Sequence, residues 1–537
     1  MTSGTPSTLK RLFVGDDASY ATQVQDDELL TVAGKYGQIL RVSSTPEGDS
    51  VTIDGTLTVS GVTRLASPLV YSAAAIQRSI PDGLTIDTTS NTLNSRMGVN
   101  APSGASLTDI ILSYPQFVNL IPEADFGVSY TVTAAIEYPA GTFTPVYTAA
   151  GSRSLSVVPG RTFQSFEPCP ILIPAGARFW IKTFASWTPG NFHLSAKCAS
   201  FVAGDGTARG TGLPDNTLVA GTPTTTSIAG FGPTVYGRLG STTAVLGIIG
   251  DSICQTAAEA GDPVTGYQFL QRAMLGVIPV LNSGRNSDTM VAAAGRNDGR
   301  SAAFRDRITH LWMALGRNDM SNGSESLVRT LYQNIINPYL ARGIRVVGNT
   351  ITPYTTSTDG WITAANQTIV TNREACRIDF NNWLRTNWQS LGLTALYDWA
   401  HAVDPMDTGK WNFDSVGTGR SAQGFATLSG DAVGSVAMGS YLLSNNSGGS
   451  AYAISSTTPC VVTNYPGTPG SGAVVTGNVN GSGLVTTYTV NNGGSGYTYP
   501  PMVTPAGSWT HDGIHPDARG YDVIISQCDI RPDAFVV

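Results

Sequence analysis

Charge is scarce in this chain. Of 537 residues only 13% are Asp, Glu, Lys or Arg, about half the usual quarter. No run of Lys or Arg is present to track a phosphate backbone, and 31 basic against 38 acidic residues leave a net charge of −7. A nucleic-acid partner is therefore not expected. Long apolar runs are missing too. The longest are a few residues, far below the ~20 that a spanning helix needs, so no membrane insertion is expected. Residues 1–30 contain no apolar h-region and carry Asp16, Asp17, Asp26 and Asp27, which reads as the absence of a signal peptide. Six cysteines (Cys169, Cys198, Cys254, Cys376, Cys460, Cys528) stand far apart with no CxxC pair. That is neither a disulfide framework nor a zinc site. Most read as buried thiols, with Cys169 and Cys198 the one plausible local bridge. With only five histidines and no ligand cluster, no metal or other cofactor is expected. What abounds is glycine, 60 residues, and aromatics, 17 Phe, 9 Trp and 20 Tyr spread along the chain. That excludes disorder and describes a sheet- and loop-rich protein, cytoplasmic in synthesis and exterior-facing in composition.

Four regions follow from patterning. In residues 1–66, Val51, Ile53, Leu57 and Val59 alternate with Thr52, Asp54, Thr56 and Thr58, a strand with one apolar face. So short a segment has little to bury against, and it reads as an arm pairing with copies of itself or with a larger assembly. Residues 67–235 show short β-branched and aromatic runs (130–136, 178–184, 192–201) between Gly and Pro, the pattern of a β-sandwich or jelly roll. From 236 to 403 the pattern becomes strand–helix–strand. Apolar runs at 244–249, 277–281, 311–315, 345–351 and 393–399 predict five strands. Leu327, Leu331, Ile335 and Tyr339 predict one helical face, kinked at Pro338, and 363–391 a long helix. This predicts a parallel α/β sheet. Residues 404–507 break the pattern. Between 421 and 507 the only charged residue is Asp431, which predicts an inserted β module, and 508–537 returns to the α/β domain.

In a parallel sheet, functional residues gather at the C-terminal ends of strands. Three strand ends here carry small polar clusters: Gly250-Asp251-Ser252, Ser283-Gly284 and Gly316-Arg317-Asn318-Asp319. Near the C-terminus stands Asp512-Gly513-Ile514-His515. Together they offer a hydroxyl nucleophile, candidate oxyanion donors and an Asp/His pair, the set that acyl transfer needs. Chance copies occur in the same chain. Gly48-Asp49-Ser50 has no apolar strand before it and reads as a turn, and Gly295-Arg296-Asn297-Asp298 lies in a polar stretch and reads as a helix end or loop. Order, placement after strands and spacing distinguish the working set. His511 is a second imidazole beside Asp512 and reads as cleft lining. Cys254 reads as a packed thiol. Trp509 and Tyr521 either line the cleft or pack.

These ordered blocks resemble the SGNH, or GDSL-type, hydrolase family of esterases and lipases over about 244–403 and 508–530. The resemblance implies a three-layer, flavodoxin-like domain hydrolysing carboxylic esters. It implies Ser252 as nucleophile, His515 as base and then acid, and Asp512 as the group orienting His515. The oxyanion hole would be the Ser252 and Gly284 N–H groups with the Asn318 amide. The family keeps the chain between the fifth strand and the Asp/His pair short; here about a hundred residues intervene. Gly34-Lys35-Tyr36-Gly37-Gln38-Ile39-Leu40 and Asp54-Gly55-Thr56-Leu57-Thr58-Val59 are similar to N-terminal segments of bacteriophage tail fibres and tailspikes. Residues 489–501, and Pro174-Ala175-Gly176-Ala177-Arg178-Phe179-Trp180, look like β modules of phage tail proteins. These likenesses imply a homotrimeric virion tail protein, made in the host cytoplasm, partnered by other tail proteins. It would act at the host surface as an esterase on O-acyl groups of capsule, O-antigen or exopolysaccharide, or bind glycan there with a vestigial site.

Overall fold

The computed structural model describes residues 85–118, 123–160, 162–194, 204–224, 231–240, 244–255, 269–295, 307–322, 325–439, 449–454 and 456–535. Added to these are isolated residues at 261–267 and 304, and the backbone of five short strands before residue 85. The chain divides into two compact units, Met1–Ser67 and Pro68–Val537. The first contains two antiparallel pairs, Lys10–Phe13 with Ala21–Val24 and Leu40–Thr45 with Gly48–Ile53. The Gly48-Asp49-Ser50 copy thus lies in a paired strand rather than in a turn. Its lack of a preceding apolar run marks the start of a hairpin arm. Residues 54–59 lie outside the described residues.

The second unit begins with two antiparallel sheets. One runs Phe143–Pro145, Tyr130–Glu137, Arg178–Trp187, Thr92–Asn100, Gly206–Gly210, with Ser154–Val157 also on Tyr130–Glu137. The other runs Phe163–Ser165, Leu107–Pro115, Thr234–Leu239, Ser72–Ala73. Val132, Ala134, Ile136, Phe179 and Ile181 from the first share one core with Leu107, Ile110, Leu112 and Val235 from the second. Alternate residues of each strand therefore meet between the sheets, as in a sandwich. Cys169 is a free, buried thiol in this core; Cys198 lies outside the described residues.

Next comes a five-stranded, wholly parallel sheet built from β1 (Leu246–Gly250), β2 (Val280–Asn282), β3 (His310–Ala314), β4 (Arg345–Asn349) and β5 (Leu393–Tyr397). Its order is β2-β1-β3-β4-β5, the doubly wound order whose crevice lies at the C-terminal strand ends. Both faces are covered. Leu311 and Met313 of β3 point to one side, where Tyr332 and Ile335 of α1 (Glu325–Leu340) and Phe380 and Leu384 of α2 (Thr371–Asn387) pack. Trp312 and Ala314 point to the other, against Tyr521, Ile524 and Ile525 of α3 (Ala518–Gln527). Among the described residues no helix is long and apolar enough to cross a membrane.

Two helix expectations need correction. The helix expected over 363–391 spans Thr371–Asn387. Before it, Thr355–Ser357 pairs with Gln367–Ile369 across a loop organised by Asp359. That carboxylate accepts from Ser357 Oγ, Thr363 Oγ1 and Asn366 Nδ2. Ser357 Oγ in turn accepts from the Asp359 and Trp361 N–H groups, and side-chain bonds of this kind compete with helix for the local backbone. In α1 the buried stripe is Val328, Tyr332, Ile335, Ile336 and Tyr339, while Leu327 is exposed. A strict four-residue step overruns the 3.6-residue turn and drifts off the face. Pro338 lies inside α1, as the sequence places it.

A six-stranded antiparallel sheet follows: Ala432–Met438, Gly424–Ser429, Met502–Pro505, Thr457–Thr463, Ser471–Val479, Val485–Ser495. Met502–Pro505 leads straight back to the segment that bears the Asp/His pair.

Candidate active site

The turn that bears Ser252, the expected nucleophile, is the chain leaving β1. Ser252 is 5% exposed, and the turn around it is tied at its neighbours. Asp251 Oδ1 accepts from the Ile253 N–H, the Gln255 N–H reaches the Asp251 carbonyl, and Tyr521 Oη donates to the Ile253 carbonyl at 2.8 Å. Tyr521 is thus packing, and its hydroxyl holds the turn. Cys254 is buried in the core against the same helix.

The Asp/His loop meets this turn from the other end of the chain. His515 Nε2 lies 2.7 Å from Ser252 Oγ, and His515 Nδ1 lies 2.8 Å from Asp512 Oδ2. Asp512 Oδ1 accepts from the N–H groups of Ile514 and His515. Burial alone would raise the Asp512 pKa. The bond to His515, its charge and the two backbone donors outweigh that and hold the carboxyl down at about 2, so it stays ionised at any ordinary pH. The loop can approach so closely because position 513 is glycine. Its φ is +82°, and a Cβ there would stand 1.9 Å from the Thr355 carbonyl oxygen. Instead Gly513 O accepts from the Thr355 N–H and from Trp411 Nε1. His511 does not share the arrangement: its Nδ1 faces Ser421 Oγ at 3.2 Å, and its N–H donates to the His515 carbonyl.

The sequence-predicted oxyanion donors are placed differently from one another. The Ser252 N–H donates to no described group. The Asn318 amide donates one hydrogen to the Asp288 carbonyl at 2.8 Å, a bond that fixes its plane. Next to it, Asp319 caps the helix Met290–Gly295 through the Met290 N–H. The Gly284 N–H, however, is engaged: it donates to Asn282 Oδ1 at 2.8 Å, and Asn282 Nδ2 donates to the Cys254 carbonyl. In this state the Gly284 N–H is thus turned to Asn282 Oδ1. Asn282, buried at the end of β2, turns that N–H inward while stapling the nucleophile turn to the neighbouring strand. Sequence reading passed over Asn282, although it directly precedes Ser283-Gly284. Of the three, Asn318 carries the clearest consequence. Asn318→Ala is expected to lower kcat by about 10²–10³-fold with KM little changed, read from steady-state kinetics on a soluble ester.

The insert also contributes. Ser421 N–H donates to Asp517 Oδ2, while Asp517 Oδ1 caps α3 through Gly520. Asp414 pairs with Arg519, and Ser508 and Gly419 join backbones. The inserted module thereby clamps both flanks of the Asp512–His515 loop.

Two carboxyls here are pushed up to about 7, Asp251 and Asp517. Burial is the cause, only partly offset by their N–H donors and, for Asp251, by His515 and Arg317. A carboxyl whose folded pKa exceeds its unfolded 3.8 holds its proton better in the folded chain, so stability falls as pH rises through the folded value. His193, His310 and His511 are lowered by burial, so near pH 6.5, where a free imidazole is half protonated, the unfolded chain holds more of their protons; this opposes the carboxyls there and fades about one unit higher. The expected result is a Tm that declines between about pH 7 and 8; a Tm that climbs over that window contradicts it.

No family model matches the chain, and no curated protein does. Parts of it are similar to solved structures of SGNH and GDSL hydrolases. These include a GDSL-like lipase from Bacteroides thetaiotaomicron (11% identity, 32% of this chain and 75% of that one, TM-score 0.23). Another is AlinE4, an SGNH-hydrolase family esterase (16%, 29% and 76%, 0.22), and a solved structure of TesA is similar to the same extent (17%, 30% and 83%, 0.23).

Proposed function

We propose that this protein hydrolyses carboxylic esters with Ser252 as nucleophile. The observation that carries the reading is the continuous chain Ser252 Oγ–His515 Nε2–His515 Nδ1–Asp512 Oδ2, with links of 2.7 and 2.8 Å. His515 takes the hydroxyl proton as Oγ attacks the ester carbonyl. The Asp512 carboxylate fixes the tautomer with Nδ1 protonated and balances the imidazolium. The carbonyl π electrons move to oxygen, where the Ser252 N–H and the Asn318 amide are the donors. Collapse expels the alcohol, which takes the proton from Nε2. Water then repeats the sequence on the acyl-enzyme, releasing the acid and free Ser252.

The finer reading is a phage tailspike that removes O-acyl groups, acetyl first among them, from host surface polysaccharide. The segments at 34–40, 54–59, 174–180 and 489–501 support it through their likeness to tail proteins, as does a sheet-rich chain of low charge. In it the N-terminal arm would join three copies, and the sandwich and insert would face glycan. Acetate release from p-nitrophenyl acetate and from an acetylated bacterial polysaccharide tests the chemistry. Light scattering tests the trimer, which a mass near 56 kDa overturns.

A further inference from the structure

The guanidiniums around the cleft are unusual for a chain with excess acid. Most described arginines pair with a carboxylate; Arg317, Arg373 and Arg420 pair with none among the described residues. Arg317 directly precedes Asn318 and is 2% exposed. Nη1 donates to the Thr352 carbonyl at 3.0 Å, while Nε and Nη2 have no hydrogen-bond partner. Its guanidinium stands 5.0 Å from the centre of the Tyr354 ring, and that of Arg373, in the first turn of α2, stands 4.8 Å from the same ring. Nε of Arg373 is likewise buried and unbonded. Arg420 lies over Trp361 and close enough to His511 to act on its charge.

The acids nearby do not neutralise this set. Glu374 is taken by Arg377, through a 2.8 Å bond from Nε and a second from Nη2. Asp251 attracts Arg317 from a distance and forms no ion pair with it. Asp512 serves His515. An arginine held out of water without its hydrogen bonds costs stability, and two on one tyrosine repel each other. Such an arrangement is compensated when an anion arrives. The guanidinium fork fits a planar carboxylate through two parallel bonds.

We propose that the ester cleaved here is carried by an anionic substrate, and that Arg373 binds its negative group, a sugar carboxylate in the first instance, beside the Asn318 end of the cleft. The proposal rests on the esterase reading. Arg373 is half-buried and so can be touched. Arg317, whose guanidinium stands on the same Tyr354 ring, acts through its charge, with Arg420 adding to the same field beside His511.

The experiment compares kcat/KM of the full chain on acetylated polygalacturonate, on acetylated neutral glucomannan and on a sugar-phosphate acetate. The proteins are the unaltered chain, Arg373→Gln and Arg373→Lys, each checked for an unchanged melting curve. Arg373→Gln is expected to lose about tenfold or more on the acidic ester relative to the neutral one, with the loss in KM. Arg373→Lys should recover part of it, and added salt should erode the unaltered enzyme's preference. A greater preference for the phosphate would identify phosphate as the bound group, which still supports an anionic subsite. Equal losses on acidic and neutral esters, or no preference in the unaltered enzyme, overturn the proposal while leaving the esterase intact. Should no ester be cleaved at all, the esterase reading fails by itself. Calorimetric binding of galacturonate oligomers to Ser252→Ala, with and without Arg373→Gln, then decides the subsite: binding that Arg373→Gln weakens supports it, and no binding overturns it.

Discussion

Ser252→Ala is expected to abolish ester hydrolysis, with kcat falling by about 10⁴-fold or more. The expectation follows from the position of Oγ. It is 2.7 Å from the only imidazole that Asp512 orients, on a turn fixed by the Ile253 N–H, the Tyr521 hydroxyl and Asn282. No other described group is placed to take over. The Cys254 thiol, two residues on, is buried in the core, and His511 addresses Ser421 instead. The variant loses a methylene-bound hydroxyl at a 5% exposed site and should fold normally, so its residual rate reports chemistry alone. Acetate release at more than about a hundredth of the unaltered rate would remove Ser252 from the mechanism.

How much of this was legible beforehand depends on what each feature needs. The parallel sheet was legible because a strand buried on both faces must be a continuous apolar run, as at β1 and β3. The positions of Ser252 and Asn318 were legible because strand order and chain direction carry polar residues after β1 and β3 to one edge of the sheet; Asp512 and His515 follow no strand of that sheet and were legible only as the Asp-x-x-His block of the family resemblance. What escaped depends on single hydrogen bonds between distant segments. Nothing local says that the Gly284 N–H will turn to Asn282 Oδ1. Equally, nothing in 363–370 announces that Gln367 will bond the Trp411 backbone through both its amide atoms, ending a helical pattern before Thr371. The segment 421–507 stood apart in the sequence by its lack of charge. Its clamp on the catalytic loop, through Asp414–Arg519 and Ser421–Asp517, depends on residues at its rim whose partners lie about a hundred positions away in sequence.

The second large effect belongs to Asp512→Asn, expected to lower kcat by about 10³–10⁴-fold without unfolding the chain. Asn keeps the volume and, with its carbonyl in the place of Oδ1, keeps the acceptor for Ile514 and His515 N–H. The change falls on the other atom. An amide NH2 in the place of Oδ2 donates to His515 Nδ1 where the carboxylate accepted, so the imidazole proton moves to Nε2, the nitrogen that must accept the Ser252 proton. Asp512 is ionised down to about pH 2, so the defect should persist across the whole working range rather than appear as a shifted pH limb. The double variant separates this account from a merely structural one. If Asp512 acts only by preparing His515 for Ser252, then Ser252→Ala with Asp512→Asn should be no slower than Ser252→Ala alone, since the proton transfer it serves no longer exists. Losses that multiply would show instead that Asp512 supports the cleft independently of Ser252, through the turn it closes with Ile514 and His515.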